Sequence, residues 1–146
     1  MNPAKFFNQQ QKMAIQNAIH NSELKTSGEI RVHIENHCEA ELLDRATEVF
    51  HVLQMHETER RNGVLIYLAL EDKKVAIIGD KGINEVSPDD YWQNEIADIL
   101  NHFKNGEFDI GIIQAINKIG DKLIEFFPIE KNDVNELSDE ISFYNN

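Results

Sequence analysis

Hydrophobic and polar positions along the chain mark seven elements. Asn2-Pro3 reads as a helix start, because Asn caps and Pro is tolerated at the first helical position. Phe6, Phe7, Ala14, Ile15, Ala18 and Ile19 then recur at helical spacing to about residue 21. Residues 29–35 switch to strict alternation. Ile30, Val32 and Ile34 face one way; Glu29, Arg31, His33 and Glu35 face the other. This predicts a strand with one wetter face, placed near a sheet edge. Leu43, Ala46, Phe50 and Leu53 mark a helix within 39–53, and a polar connection, 54–62, follows. Residues 64–70 are apolar on both sides, as a central strand covered on both faces would be. Glu71-Asp72-Lys73 leads into a second buried strand at 74–79. The connection is too short for a parallel crossover, so the two strands form a hairpin. Residues 79–88 read as a loop. Trp92, Ile96, Ile99, Leu100 and Phe103 mark a helix over 89–103, stopped by Lys104-Asn105-Gly106. The last helix spans 109–127, with Gly120 as a point of close packing and Pro128 as its stop.

The two hairpin strands lack a polar face, so helices cover the sheet on both sides. The expected fold is α/β, a three-layer α/β/α sandwich with a small mixed sheet of three to four strands. Residues 1–128 make one domain. Residues 129–146 are an acidic tail whose anchors are Leu137, Ile141, Phe143 and Tyr144.

Composition agrees with a globular core, at 41% apolar residues. The longest apolar run is far shorter than the roughly 18–20 residues of a membrane span. The first seven residues do not read as a secretory signal, which predicts a bacterial-type cytoplasmic chain. Cys38 is the only cysteine, so a disulfide scaffold is excluded. Charge changes the picture more. Fourteen Lys and Arg against 26 Asp and Glu leave a net charge of −12. Such a surface repels nucleic acid and anionic membranes and concentrates cations. The expected partner is therefore another protein, and the chain itself is expected to be a monomer.

Familiar catalytic signatures fail on inspection. His56-Glu57-Thr58-Glu59-Arg60 lacks the second imidazole of a zinc protease. Cys38 and Arg45 have six residues between them, not the five of a cysteine phosphatase loop. His33, His37 and Cys38 lack the paired ligands of structural zinc. No phosphate-cradling glycine loop and no nucleophile elbow occur.

Acidic residues do converge. The hairpin brings the segments before its first strand and after its second to one end of the sheet. A first strand parallel to 64–70 delivers Glu29 to the same end. The segment from Asp80 to Asp90 holds Asp80, Asn84, Glu85, Asp89 and Asp90; the facing segment holds Glu57, Glu59 and Asn62. Clustered carboxylates need a positive neighbour. Arg60, Arg61 and Lys81 are one candidate, and a divalent cation is the other. An all-oxygen donor set suits calcium, with magnesium as the alternative. The competing reading is a solvated acidic loop in which Asp89 or Asp90 caps the next helix.

Several stretches resemble the TPM-domain family: Ser27-Gly28-Glu29-Ile30, Arg61-Asn62-Gly63-Val64-Leu65-Ile66, the run Lys74-Val75-Ala76-Ile77-Ile78-Gly79-Asp80-Lys81-Gly82-Ile83, and Phe103-Lys104-Asn105-Gly106-Glu107-Phe108. The resemblance covers about residues 5–128. It implies an α/β/α sandwich whose two crossing loops, here 54–62 and 79–90, are braced by divalent metal, commonly calcium, and up to two ions. By position it carries over Glu29, Asn62 and Asp89 or Asp90. The family's usual Tyr-Gly-Leu-Glu stretch reads Asp80-Lys81-Gly82-Ile83-Asn84-Glu85 here. Two functions follow as expectations: a calcium-binding regulatory or interaction module, and, as the alternative, a metal-dependent phosphatase acting on phosphate monoesters, the activity associated with plant lumen members. In the second, two ions about 3.5–4 Å apart would clamp the phosphate and activate water.

Overall fold

The computed structural model describes residues 2–88, 90–129 and 139–146. A short 3-10 turn at Pro3–Lys5, capped by Asn2, precedes helix α1, Gln9–Glu23. Residues 3–21 thus split in two. Asn8 restarts the helix through a capping box, accepting from Gln11 N–H while the Gln11 side chain accepts from Asn8 N–H. Strand β1, Glu29–Glu35, helix α2, Leu42–Val52, and the hairpin of β2, Gly63–Ala69, and β3, Lys74–Gly79, follow. A four-residue helix α3, Lys81–Asn84, stands where the pattern predicts a loop, because Asp80 caps it. Helices α4, Gln93–Lys104, and α5, Phe108–Phe126, come next, and β4, Ser142–Tyr144, closes the order.

The sheet runs β3-β2-β1-β4. β1 is parallel to β2, with Glu29 opposite Gly63, and β2 is antiparallel to β3. β4 adds parallel to β1, with His33 opposite Ser142. Part of the acidic tail therefore docks, and β1 is an interior strand rather than a near-edge one. Asn146 fastens the docked segment. Its Oδ1 accepts from the Asn36 and His37 N–H groups, and its Nδ2 donates to His37 O. Leu137 lies outside the described residues; Ile141 is buried, and Phe143 packs on the main core.

Two cores flank the sheet. Ile30, Val32 and Ile34 meet Val64, Ile66 and Leu68 beneath α1, α4 and α5, including Ile15, Ile19, Ile99, Ile116 and Leu123. On the other face, Leu65, Tyr67 and Ala76 pack against Ala46, Val49 and Phe50 of α2. This is the α/β/α sandwich. The alternation in β1 is real, yet its polar side is not wet. His33 and Glu35 are buried there and satisfied by hydrogen bonds.

Close packing of α1 on α5 depends on Gly120. A Cβ at that position would lie 2.5 Å from Ser22 Oγ and 2.7 Å from Ser22 Cβ. Gly120→Ala is expected to push the two helices apart and destabilise the protein by about 1–3 kcal/mol. Urea unfolding measures this, and a value at or below zero would show that Ser22 moves aside freely.

Candidate functional site

Two segments cross at one end of the sheet, as the hairpin dictates. The first contains a 3-10 turn, Met55–Glu57, and ends at Asn62; the second starts at Asp80. They touch at Gly82, whose N–H donates to Arg61 O at 2.8 Å. A Cβ on Gly82 would sit 2.3 Å from Arg60 O and 2.7 Å from Arg61 O, both backbone atoms, so only glycine fits the crossing.

The positive neighbour of Asp80 is an arginine. Arg61 donates from Nε to Asp80 Oδ2 at 2.8 Å and from Nη2 to Oδ1 at 2.9 Å. Asp80 also caps α3 by accepting from Lys81 N–H. Asp80, Asn84 and Glu85 share a cleft of about 430 Å³ with His51, Arg61 and Lys81. Glu57, Glu59, Asn84, Glu85 and Asp90 are exposed. Asp89 lies outside the described residues. Among the described residues, no three His, Cys, Asp or Glu side chains stand as a group able to hold a metal ion.

Glu29 and Asn62 do come together. Both are buried, and Glu29 N–H donates to Asn62 O at 3.3 Å. Asn62 Nδ2 donates to Ser27 Oγ, which also accepts from Arg60 Nη1. Asn62 Oδ1 is buried and has no hydrogen-bond partner. Two acids the pattern did not single out join Glu29. Glu23, in the last turn of α1, meets the carboxyls of Asp139 and Glu29 at hydrogen-bonding range. Glu23 Oε2 accepts from Ile30 N–H at 2.9 Å, and His20 Nδ1 lies 3.4 Å from Asp139 Oδ2. Glu23 falls six residues before Glu29, across the turn. Its position at the helix end, facing the strand start, was the available signal. Asp139 could be found only by knowing that the tail docks.

Burial first, then the adjoining Asp139 and Glu29 carboxyls, push the Glu23 carboxyl well above the usual range; Ile30 N–H opposes this weakly. Towards the other end of β1 the opposite holds. Burial raises Glu35, but hydrogen bonds from His33, Arg45 and Tyr67 and the Arg45 charge outweigh it and hold Glu35 at about 2.

The layers, the mixed sheet and the crossing loops define a small α/β/α sandwich with an oxygen-rich end. The chain belongs to the TPM-domain family, whose model matches residues 1–122. It is similar to the BA42 protein of the psychrophilic bacterium Bizionia argentinensis. Identity is 46%, covering 96% of this chain and 97% of that one, at a TM-score of 0.90. The N-terminal domain of a P. gingivalis protein has the same fold at 19% identity, with 85% and 80% covered and a TM-score of 0.70. No curated protein matches the chain.

The divalent ion that the family resemblance implies can be tested against these residues. Glu23, Glu29 and Asp139 are oxygen donors of the kind that calcium or magnesium takes, but the described residues do not arrange them as a group able to hold an ion.

Glu23 fixes the pH dependence of the cation-free protein. Below its ordinary value of 4.5 both folded and unfolded chains hold the proton. Above it the unfolded chain releases the proton while the folded one keeps it, so rising pH favours unfolding. Glu23→Gln in chelator is expected to raise the Tm at pH 7 by a few degrees and to leave it unchanged at pH 4. Glu35 works in the other direction: its contribution is complete above 4.5 and is lost as pH falls towards about 2. Thermal melts across pH 3–9 check both, and a Glu23→Gln variant that melts lower at pH 7 than the parent contradicts the repulsion.

Proposed function

We propose that the protein is a divalent-cation-binding regulatory or interaction module, with calcium as the ion and magnesium as the alternative. The observation that carries this reading is the meeting of the Glu23, Glu29 and Asp139 carboxyls near the start of β1, whose first residue gives its N–H to the backbone of Asn62. Protons or a cation must hold such carboxyls together, and a cation bound there displaces the proton that Glu23 otherwise keeps. Asn62 ends the first crossing loop and Asp139 belongs to the docked tail. An ion there links the crossing loops, the start of β1 and the C-terminal segment, and so sets the shape that a protein partner meets. The exposed carboxylates Glu57, Glu59, Glu85 and Asp90 supply the surrounding negative field, while Asp80 is paired with Arg61 and Asn84 is neutral.

The phosphatase reading is less well supported. Arg61 is occupied by Asp80 and Arg60 donates to Ser27, so neither arginine stands ready to clamp a phosphate.

Calorimetric titration of calcium into chelator-treated protein tests the proposal, with amide NMR to locate the response. Saturable shifts at residues 23, 29, 62 and 139 are expected. Glu29→Gln is expected to weaken binding at least tenfold, while Glu85→Gln changes it little. Strong loss with Asp80→Asn and none with Glu29→Gln would move the ion to the second crossing loop. No response at millimolar calcium or magnesium would end the reading.

A further inference from the structure

The polar side of β1 beneath α2 holds a separate arrangement. Ser142 and His33 are register partners on adjacent strands, so their side chains leave the same face of the sheet. Ser142 Oγ lies 3.0 Å from His33 Nδ1, and His33 Nε2 lies 2.9 Å from Glu35 Oε1. Glu35 is wholly buried; it also accepts from Arg45 Nε at 2.9 Å, from Arg45 Nη2 at 2.7 Å and from the Tyr67 hydroxyl. An ionised carboxylate only accepts, so the proton on that side sits on His33 Nε2. In the neutral imidazole Nδ1 then carries the lone pair, and the Ser142 hydroxyl donates to it. The Tyr67 ring stacks on His33 at 5.9 Å and 15°, holding the imidazole plane. Hydroxyl, base and orienting carboxylate thus stand in the order used for acyl transfer. The two ring nitrogens are exchanged relative to the serine protease triad, which leaves the proton path intact.

Access separates this set from a sealed core network. Ser142 and His33 line a cavity of about 340 Å³ between α2 and β4, with Val49, Leu53 and Phe143 among its walls. That volume falls in the range of small-molecule sites. β4 is an edge strand, so Ser142 stands at an open side of the sheet. The Arg45 charge at the cavity is already matched by Glu35 and Glu48, so a phosphate gains little there.

We propose that Ser142 is a nucleophile, His33 its general base and Glu35 a positioning residue, together hydrolysing neutral carboxylic esters of short acyl chain. Ser142 Oγ attacks the carbonyl carbon while its proton passes to His33 Nδ1. The bond from that carbon to the alcohol oxygen breaks, and the proton moves from His33 to the departing alkoxide. Water then attacks the acyl-serine, again losing a proton to His33. The acyl–Oγ bond breaks, the carboxylic acid leaves, and Oγ recovers the proton. Ester and water give acid and alcohol, with no metal or oxidant involved.

The test supplies p-nitrophenyl acetate and p-nitrophenyl butyrate to the full chain in EDTA, so that the outcome is independent of cation binding. Phenylmethylsulfonyl fluoride serves as a second probe, and peptide mass spectrometry locates adducts. Release of p-nitrophenolate with an acyl or sulfonyl adduct on Ser142 is expected. Ser142→Ala removes both, Ser142→Cys restores acylation, and His33→Gln slows acylation about 100-fold. Glu35→Gln is expected to lower kcat with KM held and to shift the pH–rate profile, which a purely structural role would not do. Amide NMR reports the folded fraction of each variant. Hydrolysis that persists in Ser142→Ala, or a parent chain whose Ser142 carries no adduct from either probe, overturns the proposal. The parent's adduct map decides the matter even where a variant fails to fold.

Discussion

Glu35 keeps a full negative charge away from water, and the layer beneath α2 is fastened by the groups that satisfy it. Taking such a carboxylate out of solvent costs several kcal/mol unless donors replace the lost hydration. Here the replacement comes from three elements at once: His33 on its own strand, Tyr67 on β2 and the fork of Arg45 on α2. His33 extends the chain of contacts to Ser142 on β4. The apolar contacts of α2 on the sheet are generic, whereas these bonds have direction. They fix how α2 lies across the strands and give β4 a reason to pair where it does.

Towards the opposite end of the same strand the chemistry is reversed. Glu23 meets the carboxyls of Glu29 and Asp139 there, and burial together with these neighbours pushes it well above the usual carboxylate range, whereas Glu35 is held low. A chain with 26 acids and 14 lysines and arginines does not neutralise every acid internally. Arg45 and Arg61 are committed where geometry must be rigid, at the core and at the loop crossing.

Periodicity in the sequence was enough for the layers, because each apolar stripe has one matching partner surface. It was enough for the hairpin too, since Glu71-Asp72-Lys73 permits no other connection. It misjudged the polar side of β1. Alternation reports which residues share a face, and not whether that face meets water or a buried set of donors. Arg45 and Tyr67, distant in sequence, decided that question. The anchors Ile141 and Phe143 were legible, but the pairing of the tail as a strand was hidden for a similar reason: three residues carry too little pattern, and their partner strand lies over 100 residues earlier. Of the nine predicted oxygen donors, Glu29 and Asn62 meet because the β1–β2 register puts strand starts together. Asp80 was paired by Arg61, one of the two kinds of neutraliser its surroundings allowed. Glu23 and Asp139 needed the tertiary structure to be seen at all.

The pairing of His33 with Ser142 joins residues 109 positions apart. Of the strand pairings in the sheet, β1 with β4 is the one with the most chain to close. The β2–β3 hairpin and the short β1-to-β2 excursion through α2 offer earlier gains for less lost entropy. β4 is therefore the costliest strand pairing of the sheet to close. Until it docks, one edge of β1 stays open to the strands of other molecules, and the docking of the tail ends that exposure.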